Sequence, residues 1–303
     1  MTLQSLFPLL MAMAFAPFIQ GVINRTKAII AGRVGQPLLQ PYRDLAKLLR
    51  KGAVYSRTTT WIFRCGPVVG LASMICATAL LPFGAFPAFA PFAGDLVMLA
   101  YLLALARFFT VLAALDTGSS FEAMGASREV TFSALAEPAL FLGLAALARQ
   151  TGSLSLTPLV AAISTNTWMR AAPALGLTIG ALSMVFLTEN ARIPVDDPTT
   201  HLELTMIHEV MVLDHSGPDF AMIQYAAALK MWLLGAIIVA IAIPWHSGNS
   251  LLDDGAAIAG MLALAVVTGI IESSMARLQL LRVTQLLIAA IVLSGLALAL
   301  VQR

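Results

Sequence analysis

The chain has 303 residues, 59% of them apolar and 11% charged, with a formal net charge of +2. With a mean hydropathy of +0.87, it falls outside the range of soluble domains and reads as an all-α polytopic membrane protein with no nucleic-acid partner. Its two cysteines, Cys65 and Cys76, form neither a CxxC pair nor a metal tetrad, and His208-Glu209-Val210-Met211-Val212 lacks the second histidine of a zinc-protease helix. Nucleophile motifs and phosphate loops are absent too, so no catalytic residue, metal or bound cofactor is assigned to this chain.

Eight apolar runs reach the roughly 20 residues that a spanning helix needs. They lie at about 3–23, 61–82, 95–115, 130–149, 171–189, 221–245, 256–276 and 283–301. Each is continuous and rich in Leu and Ala, which excludes the alternation of a membrane barrel. One integral membrane domain is expected over residues 1–303, with cytoplasmic loops at about 24–60, 116–129, 190–220 and 277–282. The side follows from the basic residues: Arg25, Lys27, Arg33, Arg43, Lys47, Arg50, Lys51 and Arg57 crowd the first connection, whereas the connections at 83–94 and 246–255 have none. An even number of spans then leaves both termini on the outer side of the cytoplasmic membrane. The first span lacks a basic leader and a small-residue cleavage site and is read as an uncleaved helix.

In chain order, Pro41 starts a short amphipathic helix, YRDLAKLLRK. Tyr42, Leu45, Ala46 and Leu49 share one face and Arg43, Lys47, Arg50 and Lys51 the other, so the helix is placed on the membrane surface as a lipid anchor, a partner dock, or both. Gly32 and Gly35 beside Arg33 allow a tight turn. The third span carries Arg107, and the fourth carries Glu137 before Pro138, where a proline kinks the helix and loosens backbone carbonyls. Residues 150–170 are read as a Ser/Thr-rich external connection. Glu189 ends the fifth span, Lys230 lies in the sixth and Glu272 ends the seventh.

Each of these charges costs roughly 2.5–3.5 kcal/mol at mid-bilayer. Counted from the cytoplasmic ends, all five fall within about 14 Å of depth at 1.5 Å per residue, which implies one polar layer where opposite charges pair. The stretch Glu189–Asp219 adds to it, with seven acidic residues and three of the four histidines. On a helix from 201 to 213, His201, Thr205, His208 and Glu209 form one stripe and Glu203 points with Met206, Ile207 and Val210 into the bundle. Whether Glu203 carries a proton or an ion pair depends on its distance from Arg192. The histidines His201, His208 and His215 are expected on a solvated or partner-facing surface.

RVGQPLLQPYRDLAKLLRK, LDTGSSFEAMGASRE, ENARIPVDDPTTHLEL and ESSMARLQL resemble the membrane subunit shared by respiratory complex I and the energy-converting membrane-bound [NiFe] hydrogenases, formate hydrogenlyase among them. The resemblance implies an eight-helix subunit that clamps a hydrophilic arm to the membrane and links its redox chemistry, through an acidic chain, to proton or sodium movement in antiporter-like membrane subunits. Hydrogenase-like large and small subunits would be its partners and would hold the [NiFe] and iron–sulfur centres.

Arg128 and Glu137 match the family's Arg and the Glu nine positions on, and Glu189, Arg192, Pro194, Asp196, Pro198 and Glu203 match its ExxRxPxDxP…E pattern. The implied ion path comprises Glu137, Glu189, Glu203, Glu209, Glu272, Asp196, Arg107, Arg128, Arg192 and Lys230. Arg33, Gln40, Tyr42, Arg43, Asp44, Lys47, Asp116, Glu122, Arg128, His201 and His208 are the expected arm interface. Thr199 and His201 stand where the quinone branch has carboxylates, and LDTGS…GASRE is similar to the hydrogenase branch. A quinone-binding complex I-like subunit and a stand-alone ion transporter are the competing readings.

Overall fold

The computed structural model describes residues 5–196, 206–245 and 247–301. Among these, ten α-helices follow one another: α1 (Leu6–Ile30), α2 (Gln40–Leu49), α3 (Trp61–Ala79), α4 (Asp95–Asp116), α5 (Ser120–Thr151), α6 (Leu156–Ala162), α7 (Thr165–Glu189), α8 (Gly217–Ala242), α9 (Ser250–Ser274) and α10 (Leu280–Val301). Eight of them, all but α2 and α6, are long and apolar enough to cross a membrane, and the chain is a multi-pass membrane protein.

The spans pack as a bundle in which α3 lies against α4 and α8, α10 against α5 and α7, and α1 against α9 and α8. Span α8 is the most enclosed and α9 and α10 the least. Lipid tails are as apolar as leucine, so contact between spans rests on close approach rather than on removal from water. Small residues supply it: a Cβ added at Gly66 would come within 3.0 Å of the Ala113 Cβ, and one at Gly260 within 2.6 Å of Val239.

Helix ends are fixed by local chemistry. The Thr60 hydroxyl accepts from Ile62 N at the start of α3, while Asp116 at the end of α4 accepts from Thr60 N at 2.6 Å, tying two helix ends together. A reciprocal capping box of Ser164 and Thr167 opens α7. The fully buried Asp95 accepts from Leu156 N and Ser155 Oγ, both at 2.7 Å, so the first carboxylate of α4 also caps α6.

Four boundaries differ from the sequence expectation. Residues 120–129 are not loop: α5 begins at Ser120 and runs unbroken through Pro138 to Thr151. Residues 150–170 contain α6 and the start of α7, whose helical geometry breaks at Ala171, just ahead of Pro173. Span α1 continues seven residues past the expected end at about 23, to Ile30. Between α7 and α8, the described part holds only a 3₁₀ turn, Glu209–Val212, rather than a helix reaching residue 213.

After α1 the chain turns at Gly32 and Gly35, both with positive φ. It then folds back so closely that a Cβ at Gly21 would lie 2.0 Å from the Leu38 carbonyl oxygen. The start of α2 therefore sits against the flank of α1, where the Tyr42 hydroxyl donates to the Ala14 carbonyl and burial raises the phenol above its ordinary pKa. The other end stays uncovered: Leu49 is 61% exposed. α2 is wedged at its N-terminal end and open at its C-terminal end.

Candidate functional site: a paired-charge layer

Arg107 of α4 is the hub. Its Nη1 donates to Glu137 of α5 and its Nη2 to Glu189 of α7, and its Nε lies 3.4 Å from Glu129 Oε1, also on α5. Three carboxylates converge on one guanidinium whose side chain is only 12% exposed, a use of its planar fork that lysine cannot reproduce. Lys230 of α8 reaches Glu189 Oε2 at 3.5 Å, and His208 Nδ1 lies 3.6 Å from Glu129 Oε2. The exposed edge of this group is Glu137, whose side chain is 39% exposed beside α4.

A second group lies around Glu272 of α9. Its Oε1 is 3.3 Å from Arg192 Nη1 and its Oε2 is 2.7 Å from Lys27 Nζ on α1. Arg192 also approaches the Met231 sulfur at 3.9 Å. A third pair, Asp196 with Arg277 at 3.0 Å, joins the connection after α7 to that before α10. The described groups of the layer therefore divide into clusters rather than forming one mesh.

Two cavities adjoin the Arg107 group, and the larger reaches from it to Arg192. One of about 60 Å³, between α3, α4 and α8, is lined by Arg107, Glu129, Glu189, His208 and Lys230. A second of about 130 Å³ is lined by Glu189, Arg192, His208, Glu209 and Lys230 and extends to Gln20 and Gln224. Both have room for water, and their polar walls supply the partners that water needs. A third, of about 80 Å³, shares Gln20 and Gln224 with the second and continues to Asp44 and Gln36 beside α2.

Several residues expected at a partner surface have other work. Glu122 is buried and accepts from Asp214 N at 3.0 Å. Arg128 donates to the Met206 carbonyl at 2.9 Å, Gln40 donates to Asp44 at 2.8 Å, and Asp116 caps α3. Arg33, Arg43 and Lys47 are exposed. His208 points inward to Glu129. His215 is buried with its ring stacked on Phe63, centroids 3.9 Å apart, and burial lowers its pKa to about 4 against the pull of Asp219 and Asp214. His201 and Glu203 lie outside the described residues.

Glu129, Lys27 and Arg277 are the members that sequence reasoning missed. Glu129 fell in a stretch read as solvated loop, although Ser119-Ser120-Phe121-Glu122 carries the S-x-x-E spacing of a helix start. Lys27 was counted only as one of many basic residues that orient the chain. No signal in the sequence pairs Arg277 with Asp196. Among the described residues, no three His, Cys, Asp or Glu side chains come together as a metal site would require.

Known proteins resemble this chain over nearly its whole length. Formate hydrogenlyase subunit 4 of Escherichia coli (strain K12) is 32% identical over 284 residues, covering 91% of each chain. Hydrogenase-4 component C of the same organism is 33% identical over 254 residues, covering 83% of this chain and 77% of that one. Among solved structures, a chain of the membrane-bound sulfane sulfur reductase, an archaeal respiratory membrane complex, shares the fold at a TM-score of 0.82 with 20% identity, over 97% of this chain and 98% of that one. The sequence model of the NADH dehydrogenase family matches residues 3–302, and the chain belongs to that family.

Proposed function

We propose that this chain is the non-catalytic membrane anchor and coupling subunit of a hydrogenase-type or formate hydrogenlyase-type redox complex. The observation that carries this reading is the Arg107 hub, with carboxylates from α5 and α7 on one guanidinium and Lys230 beside them. Its similarity to formate hydrogenlyase subunit 4 and hydrogenase-4 component C supplies the kind of complex.

In such a layer the sum of charges sets the energy. Protonating any one carboxylate weakens its hold on Arg107, and the remaining ones take up the cation more strongly. Charge added at the basic end of the bundle is thereby felt at Glu137, on the lateral rim. In this reading, a hydrophilic hydrogenase-like arm with the [NiFe] and iron–sulfur centres docks on the cytoplasmic side, where Arg33, Arg43 and Lys47 are exposed. Antiporter-like subunits then sit beside the bundle in the inner membrane and move protons or sodium.

Glu137→Gln tests the reading. It keeps the side-chain volume and removes the charge, so the complex should still co-purify while ions moved per electron pair fall severalfold. An unchanged ratio would remove Glu137 from the path.

A further inference from the structure

His208 sits in the layer on a backbone segment held by its neighbours. Its own backbone N–H and that of Ile207 donate to Asp196 Oδ2, at 3.2 and 2.9 Å, and Asp196 is held in turn by Arg277. One residue earlier, the Met206 carbonyl accepts from Arg128 of α5. The segment is thus pinned from three sides and its imidazole is set in place between two cavities. It lines both the cavity that holds Arg107 and Glu129 and the larger one that holds Arg192 and Glu209.

Glu189 and Lys230 line both cavities too, but each already has the other as its counter-ion. The imidazole differs from them in kind. It has two nitrogens, gains or loses a proton near neutral pH, and can take a proton at one nitrogen and give one from the other. Nδ1 lies 3.6 Å from Glu129, too long for a settled hydrogen bond and short enough for an ion pair once the ring is charged. The charged groups around it are Arg107 of α4, Glu129 of α5, Glu189 of α7, Arg192 and Asp196 beyond α7, Glu209 of its own segment and Lys230 of α8.

We infer that His208 is the proton relay between the larger cavity and the Arg107 cluster, with Glu129 as its acceptor. A hydronium ion carried in through water of the larger cavity gives its proton to Nε2 and is left as water. The Nδ1–H bond then breaks as an O–H bond forms on the Glu129 carboxylate, leaving a neutral ring and a neutral acid, so that one proton has moved and no electron has. Protonated Glu129 loosens its hold on Arg107 and shifts that cation toward Glu137 and Glu189. The inference rests on the coupling role proposed above and adds an entry point to it.

The test uses the whole complex in sealed vesicles, with protons taken up per electron pair measured across pH. His208→Gln should lower the ratio severalfold. Added imidazole should restore much of the loss. Glu129→Gln should lower the ratio in the same way, with no rescue by imidazole. A wild-type ratio in His208→Gln, or a loss that ignores imidazole, overturns the relay. If Glu137→Gln is impaired in the same vesicles, the coupling role survives that result; if it is unimpaired as well, both fall.

Discussion

Arg107 settles a conflict that its helix alone cannot. A cation within an apolar span is costly, and so are three carboxylates, but together they satisfy one another. Arg107→Ala would take the shared cation from Glu129, Glu137 and Glu189, leaving Lys230 at Glu189 and His208 at Glu129 to hold the cluster. By the usual penalty for a broken buried ion pair, it should cost about 3–5 kcal/mol. Thermal melting of the purified complex checks this, and Arg107→Lys should recover only part of the loss because an ammonium cannot present a three-sided fork.

His215 makes a prediction of the opposite kind. Burial against Phe63 holds its folded-state pKa near 4, whereas an unfolded histidine titrates near 6.5. The folded state is favoured in full above that value, and its advantage is lost as the pH falls from about 6.5 toward 4, on the order of 3 kcal/mol in all. His215→Phe should flatten the pH dependence of the melting temperature over that window. The seven-residue spacing that grouped His215 with His201 and His208 on a solvated surface assumed one helical period across all three. A 3₁₀ turn ends at Val212 instead, and a period of 3.6 does not carry across such a break.

Among the elements, α2 departs furthest from what its pattern implies. Its amphipathic period and Pro41 start were legible, as were the two turn glycines before it. Its wedge against α1 was not, because it depends on Gly21 having no side chain where the Leu38 carbonyl passes. Gly21→Ala should push that segment away at a cost of about 1–3 kcal/mol and speed tryptic cleavage at the exposed Arg33. The eight spans were legible for a simpler reason: hydrocarbon thickness sets a minimum apolar length, and a continuous run of that length is hard to mistake. Residues 120–129 failed the same test. Their Glu122, Arg128 and Glu129 resemble loop charges until their inward partners, Asp214, Met206 and Arg107, are known.

At the scale of the molecule, depth was the most informative quantity in the sequence. Counting residues from the basic ends put Arg107, Glu137, Glu189 and Lys230 at one level, and they are in contact there. Glu272 shares the level but pairs instead with Arg192 and Lys27, since depth says nothing about which helices are neighbours. The docking role of the basic end is testable as a whole: Arg43→Glu with Lys47→Glu should release the soluble arm, seen as its loss from pull-downs of the membrane part at physiological salt. Retention there would leave these residues a lipid-anchoring role only.

Glu137 has a last implication. Its side chain is 39% exposed on the flank of a bundle that lies within hydrocarbon, and no acyl chain can solvate a carboxylate. A copy inserted by itself would therefore carry a visible sign of incompleteness, of the kind that membrane proteases act on. In cells lacking the adjacent membrane subunits its half-life should shorten, so that the same residue that passes charge outward also reports whether there is anything to receive it.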